Sequence, residues 1–213
     1  KTFPQPMPER TVNASHWYDI EILGTKRFDP DLPHHEDRQR YGFQLGFIRA
    51  MGLSMRDGGA PTLIGEFGIP YDLNHGEAFE RWAGGERGAG VWRAHSQALG
   101  AMYDAMDGLL LSSTQWNYSA TNANDLRIGD GWNQEDLSIF SRDQTTTADD
   151  PASGSRALEG FSRPYVQRGQ GVLAVQLHQV AEQSAQAQGI GGEHVEVQVQ
   201  TGAVGQQRQL DIQ

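Results

Sequence analysis

Three short, β-prone apolar runs, each closing on a polar or aromatic cluster, constrain this chain more than any other feature of its sequence. Thr11 to His16 leads into His16-Trp17-Tyr18-Asp19, Thr62 to Gly65 into Glu66-Phe67-Gly68, and Leu109 to Gln115 into Trp116-Asn117-Tyr118. Continuous apolar runs of this length suit strands buried on both faces of a parallel sheet. Their end residues, His16, Glu66 and Trp116, lie fifty positions apart.

Helical pattern fills the intervals. Tyr41, Leu45, Ile48 and Gly52 fall at helical spacing, and Trp92, His95, Leu99, Met102, Tyr103 and Met106 form a longer apolar stripe. A strand–helix–strand–helix–strand series requires a parallel sheet with helical crossovers. The fold class expected is therefore α/β. Ile20 to Arg38 and Gly68 to Gly90, rich in Gly, Pro, Asp and His, read as long loops. Asp143 to Ser155 reads as an exposed connection, and Ala157 to Phe161 as a last helical turn.

Composition narrows the partners. Acidic residues outnumber basic ones by 27 to 17, giving a formal net charge of -10 with no basic patch, so nucleic acid is not an expected partner. No apolar run approaches the roughly 18 residues of a membrane span. With no cysteine, disulfides and thiolate metal sites are excluded, while the compartment and oligomeric state stay open. From Gln176 onward, eleven glutamines in 38 residues and no aromatic residue predict weak order, although Val195, Val197 and Val199 alternate as a strand would.

Glu66 is the sharpest candidate for chemistry. A carboxylate between glycines at the end of a buried strand sits where a parallel barrel places its active-site groups. A strand-end Glu bonded to a neighbouring loop fits the same four residues. His16 and Tyr18 lie two apart, so both point to one side, where they can hydrogen-bond and orient an ionised carboxylate. A half-buried aromatic cluster is the alternative. Trp116 offers a flat apolar face for stacking against a sugar, or a structural ring for the core. His34-His35-Glu36-Asp37 lacks metal-ligand spacing and reads as a solvated loop. Glu135-Asp136 could supply a second carboxylate but reads as polar structure that fixes a loop. The glycines from Gly84 to Gly90 lack the lysine and context of a phosphate loop.

Taken together, these residues resemble glycoside hydrolase family 5. His16-Trp17-Tyr18 is similar to the His-x-Tyr that ends that family's sixth barrel strand. Pro61-Thr62-Leu63-Ile64-Gly65-Glu66-Phe67-Gly68 matches the nucleophile strand, and Trp116 the sugar-stacking Trp of the eighth. Trp116-Asn117-Tyr118-Ser119 and the stretch from Gly129 to Ser141 resemble the glycolipid-active branch of endoglycoceramidases, glucosylceramidases and steryl β-glucosidases. Arg163-Pro164-Tyr165 is similar to the lead-in to the β-sandwich that follows the barrel there.

The resemblance implies the C-terminal part of a (β/α)8 barrel over residues 1–162, about strands six to eight. Residues 163–213 would begin a truncated or poorly ordered β-domain. It implies a retaining β-glycosidase acting on β-glucosides of lipids or sterols, without metal or organic cofactor. Glu66 would be the nucleophile, with His16, Tyr18 and Trp116 binding the glycoside or glycolipid substrate. The family's acid/base Glu has no counterpart here, and Lys1 is not Met, so the chain is expected to be incomplete and inactive alone. The alternative is a non-catalytic remnant of such an enzyme.

Overall fold

The computed structural model describes residues 6–131, 135–147, 149–150 and 152–163. Contacts divide the chain into Lys1–Ser162 and Arg163–Gln213, and every described element lies in the first. Trp132-Asn133-Gln134, Pro164-Tyr165, the glutamine-rich segment and its valine alternation lie outside the described residues.

The centre of the fold is a parallel pair, β1 (Leu63–Phe67) and β2 (Ser112–Gln115), in register with Leu63 beside Ser112 and Phe67 beside Gln115. The first apolar run is extended along the other edge of β1, but it pairs only through parallel bridges at Asn13–Thr62 and His16–Glu66. Backbone bonds from Leu63 N to Asn13 O (2.8 Å), Gly65 N to Ser15 O (2.9 Å) and Trp17 N to Glu66 O (2.9 Å) hold it there. Three parallel segments thus lie side by side with β1 in the middle, which explains why Ile64 and Phe67 are fully buried. The third run begins later than its apolar character predicts, because α4 continues to Gly108 and Leu109 to Leu111 turn off its end.

The crossovers are helical, as the periodicity requires. α2 (His35–Ser54) buries Tyr41, Leu45 and Gly52, and α4 (Arg93–Gly108) buries His95, Leu99, Met102 and Met106. The two helices pack against each other and the strands. Asn13 donates to Ile48 O at 2.9 Å, and Tyr103 meets Phe67 edge-on with ring centroids 4.9 Å apart. A short α5 (Leu158–Phe161) lies against α4 where a last helical turn is expected.

The two stretches expected to be loops contain helices. α1 (Ile20–Thr25) is one six-residue element, too short to show a period. It is started by Asp19 Oδ1, which accepts from Glu21 N (2.8 Å) and Ile22 N (3.3 Å), and ended by Lys26 at φ 53°. Such a cap satisfies donors that a short helix otherwise leaves exposed. α3 (Leu73–Ala83) opens with three left-handed residues, Asn74, His75 and Gly76, before its regular turns begin. That opening masks its periodicity, although Leu73, Ala78 and Phe79 are buried. His34-His35-Glu36-Asp37 is likewise the start of α2 and not a loop. His34 Nδ1 lies 2.8 Å from Asp37 and its ring stacks 4.1 Å from Phe28, so the cluster anchors a helix N-terminus. Asp143 to Ser155 is only partly exposed, since Gln144 is buried and Ser155 bridges Phe140.

Candidate active site

All three parallel segments end on one side, and the sequence candidates gather there. The backbone approach at Glu66 is close on both flanks. A Cβ on Gly65 would lie 2.9 Å from Ala14 O and 3.1 Å from His16 Cδ2, and one on Gly68 would lie 2.2 Å from Trp116 O. Only glycine allows the neighbouring segments this near. The His16–Glu66 bridge then puts the two side chains on one face.

Two side chains hold the Glu66 carboxylate by the same oxygen. Tyr18 Oη donates to Oε2 at 3.1 Å, and His16 Nδ1 lies 3.2 Å from it. The Glu66 side chain keeps 30% exposure, so the carboxylate is supported from the protein and reachable from outside. Burial pushes the Tyr18 phenol up from its ordinary value, and the hydrogen bond and charge of Glu66 add to the shift. Tyr18 therefore remains a protonated donor at any working pH. A carboxylate held in this way is oriented, as a nucleophile or a general base must be.

Trp116 stands at the end of β2, its N–H donating to Phe67 O at 2.8 Å, with a cis peptide bond to Asn117. It is partly buried, and register places it at the same strand ends as Glu66. After it the chain folds back on itself. Asn117 N donates to Leu137 O (3.0 Å) and Ile139 N to Asn117 O (2.9 Å). Asp130 Oδ2 accepts from Asn117 Nδ2 (2.7 Å) and Leu137 N (3.2 Å).

Two ion pairs lock these strand-end loops, one buried on both sides and one with a part-exposed arginine, and neither is marked as a pair in the sequence. Arg156, completely buried, pairs with Asp136 through Nη1 at 2.8 Å and through Nη2, and lies 4.2 Å from the Tyr71 ring centroid. Tyr71 N in turn donates to Asp136 O at 2.6 Å, so the loops after β1 and β2 are tied through one guanidinium. The loop-fixing reading of Glu135-Asp136 fits Asp136. Arg156 itself sits in a polar stretch without periodicity, where nothing in the sequence marks it. Asp19 is the second lock: it accepts from Tyr41 Oη and from Arg40 Nη2 (2.9 Å) while capping α1. Its signal was present as an acidic residue one position before Ile20.

His95 belongs to the same packing and not to the site. Burial holds its imidazole down to about 3, against the backbone hydrogen bond from Nε2 to Tyr71 O (3.0 Å). It is neutral at physiological pH. No group of His and acidic residues among the described residues could hold a metal ion, and no described helix is long and apolar enough to cross a membrane.

The relatives of this chain are glycosidases. They are, more narrowly, of the glycolipid-active branch, which this chain resembles over about three quarters of its length. It is 28% identical over 184 residues to a glucosylceramidase of Cryptococcus neoformans var. grubii, covering 74% of this chain and 23% of that one. An ergosteryl-beta-glucosidase of Saccharomyces cerevisiae is 32% identical over 158 residues, covering 64% and 19%. The crystal structure of Cryptococcus neoformans sterylglucosidase 1 with tris superposes with a TM-score of 0.64 at 31% identity, over 77% of this chain and 25% of that one. The chain thus spans about a quarter of the length of these relatives. No protein-family model matches it.

Proposed function

We propose that this chain is the C-terminal part of a (β/α)8 barrel, about strands six to eight, of a retaining β-glycosidase of glycoside hydrolase family 5. Its substrates are β-glucosides of lipids or sterols. The observation that carries the reading is the Glu66 carboxylate held by Tyr18 and His16 at the ends of parallel segments. Exposed apolar residues support the barrel. Ile20, Phe43 and Phe47 are 81%, 79% and 64% exposed and line one surface hollow with Trp17 and Tyr18, which a further βα unit would cover.

In this mechanism Glu66 attacks the anomeric carbon as the bond to the glycosidic oxygen breaks, forming a glycosyl ester. A second carboxyl group, about 5–5.5 Å away, protonates the leaving oxygen and then takes a proton from the water that cleaves the ester. Tyr18 and His16 hold and aim Glu66, and Trp116 forms the floor beneath the sugar. No metal or organic cofactor enters. Among the described residues no group is assigned the part of the second carboxylate. The remnant reading shares that observation.

The longer gene product that carries this segment is expected to hydrolyse aryl β-glucosides, steryl glucosides or glucosylceramide, with the β-anomer of glucose appearing first by NMR. First release of the α-anomer would overturn the retaining assignment, and inactivity on every β-glucoside would favour the remnant. The 213-residue chain alone is expected to be silent in a fluorogenic β-glucoside assay. General acid–base assistance is worth roughly 10²–10⁴-fold, and the open sheet edge further weakens the fold. Turnover by the pure chain that disappears with Glu66→Gln would mean that it holds both carboxylates.

Trp116 gives a separate test. Trp116→Phe in the gene product should lower kcat/KM about tenfold, equivalent to ~1.4 kcal/mol, with little change in Tm. A core role predicts the reverse, normal kinetics with a stability loss on the order of 1 kcal/mol or more.

A further inference from the structure

The segment that carries His16 and Tyr18 is joined to β1 by isolated bridges, at Asn13–Thr62 and His16–Glu66, and not by a regular ladder. Side chains of α2 supply the rest of its support. Asn13 Nδ2 donates to Ile48 O at 2.9 Å, and Trp17 Nε1 donates to Gln44 Oε1 at 2.8 Å. Asp19 Oδ2 accepts from Arg40 Nη2 at 2.9 Å and from Tyr41 Oη. Arg40, Tyr41, Gln44 and Ile48 recur at steps of three and four, so one face of α2 grips the whole segment.

The contacts divide the segment residue by residue. Trp17 and Asp19 are buried against α2, whereas His16 and Tyr18 reach Glu66 Oε2 at 3.2 and 3.1 Å. Tyr18 is therefore flanked on both sides by residues fixed to the helix. Asp19 is the more fully fixed of the two. Its Oδ1 accepts from Glu21 N (2.8 Å) and Ile22 N (3.3 Å) while Oδ2 takes the two donors from α2. Capping α1 needs only Oδ1. The Oδ2 contacts add nothing to that cap and instead tie the residue after Tyr18 to α2. Tyr41 also meets the Trp17 ring edge-on, with centroids 5.0 Å apart, so one side chain touches both neighbours of Tyr18. Arg40 is steadied in turn by Asp37 at 3.0 Å and Glu21 at 3.5 Å.

We propose that Asp19, held by Tyr41 and Arg40, is a positioning residue of the Glu66 site: it fixes Tyr18 so that the phenol hydroxyl aims the carboxylate. The inference rests on the reading of Glu66 as the nucleophile. Asp19 acts through Tyr18 alone, since its own carboxylate is spent on α1 and α2. When Tyr18 is loosened, Glu66 keeps only the contact with His16, whose side chain is 54% exposed. An attacking group displaced by about 1 Å can lose roughly 10²-fold in rate, so a hold on Tyr18 translates directly into kcat.

A double-mutant cycle in the gene product tests this, with an aryl β-glucoside as substrate, rates taken well below Tm and Glu66→Gln as reference. Tyr41→Phe keeps the buried ring and removes only the hydroxyl that meets Asp19. It should lower kcat about tenfold while KM stays within about twofold. In a Tyr18→Phe background the same change should cost less than about twofold, because the hydroxyl being aimed is already gone. Should Tyr41→Phe fail to fold, Arg40→Met at a part-exposed position carries the same cycle. Equal losses in the two backgrounds would mean a purely structural role and overturn the inference. So would a loss below about twofold in both variants, or a Tyr18→Phe enzyme of undiminished kcat, and in each case an inactive Glu66→Gln leaves the nucleophile assignment standing. Activity in Glu66→Gln would instead strike at the reading on which the inference rests.

Discussion

Glu66→Gln should abolish hydrolysis of an aryl β-glucoside by the gene product, by at least ~10⁴-fold, the upper end of what a general base alone supplies. The amide is nearly isosteric and can still accept from Tyr18, so the fold and Tm should be retained. What it lacks is the charge and nucleophilicity needed to attack the anomeric carbon. Glu66→Gly leaves room beside Tyr18 and His16 for a small anion, and azide should recover part of the activity. The rescued product should be the α-glycosyl azide, because one displacement replaces two. Substantial activity in the Gln variant would remove Glu66 from the mechanism and leave its contacts with Tyr18 (3.1 Å) and His16 (3.2 Å) as structural ones.

Breaking the Arg156–Asp136 pair should produce the largest loss of stability. Both side chains are almost completely buried, and the guanidinium also donates through Nε to Ser138 O at 3.1 Å while lying over the Tyr71 ring. Removing one partner leaves an uncompensated buried charge, which costs about 3–5 kcal/mol. Arg156→Met and Asp136→Ala should each shift the urea midpoint of the gene product accordingly. The double change Arg156→Met with Asp136→Leu should recover much of the loss, because an apolar replacement of both partners no longer strands a charge. A loss below about 1 kcal/mol in either single variant would mean that the pair is solvated. The kinetic consequence should follow the stability. The pair ties Tyr71 to the segment that carries Glu135 and flanks Asn117, so loosening it loosens the strand-end loops.

The sequence carried the order of the elements because burial leaves a local trace. β1 is buried on both faces and reads as a continuous apolar run, and α2 and α4 bury faces that recur at helical spacing. His16, Tyr18 and Glu66 were legible for a similar reason. Spacing by two and placement at strand ends fix on which side of a sheet such residues emerge, and the structure brings all three into contact. α1 and α3 left no such trace, one being a single capped segment and the other opening with left-handed residues at Asn74 to Gly76.

What only the tertiary structure decided is where charge is buried and which groups it is paired with. Arg156 and Asp136, twenty positions apart, become one buried pair, and Asp19 joins Arg40 and Tyr41 across twenty or more residues. No periodic signal links such partners, because their meeting depends on how loops from different strands pack. Adjacent Glu135 and Asp136 look alike in sequence, yet Asp136 is buried against Arg156 while Glu135 stays partly exposed. Sequence by itself determined which residues could do chemistry at the strand ends. Packing alone determined that Asp136, of two neighbouring carboxylates, is the one spent on holding the loop, since its buried partner Arg156 lies twenty positions away in the chain.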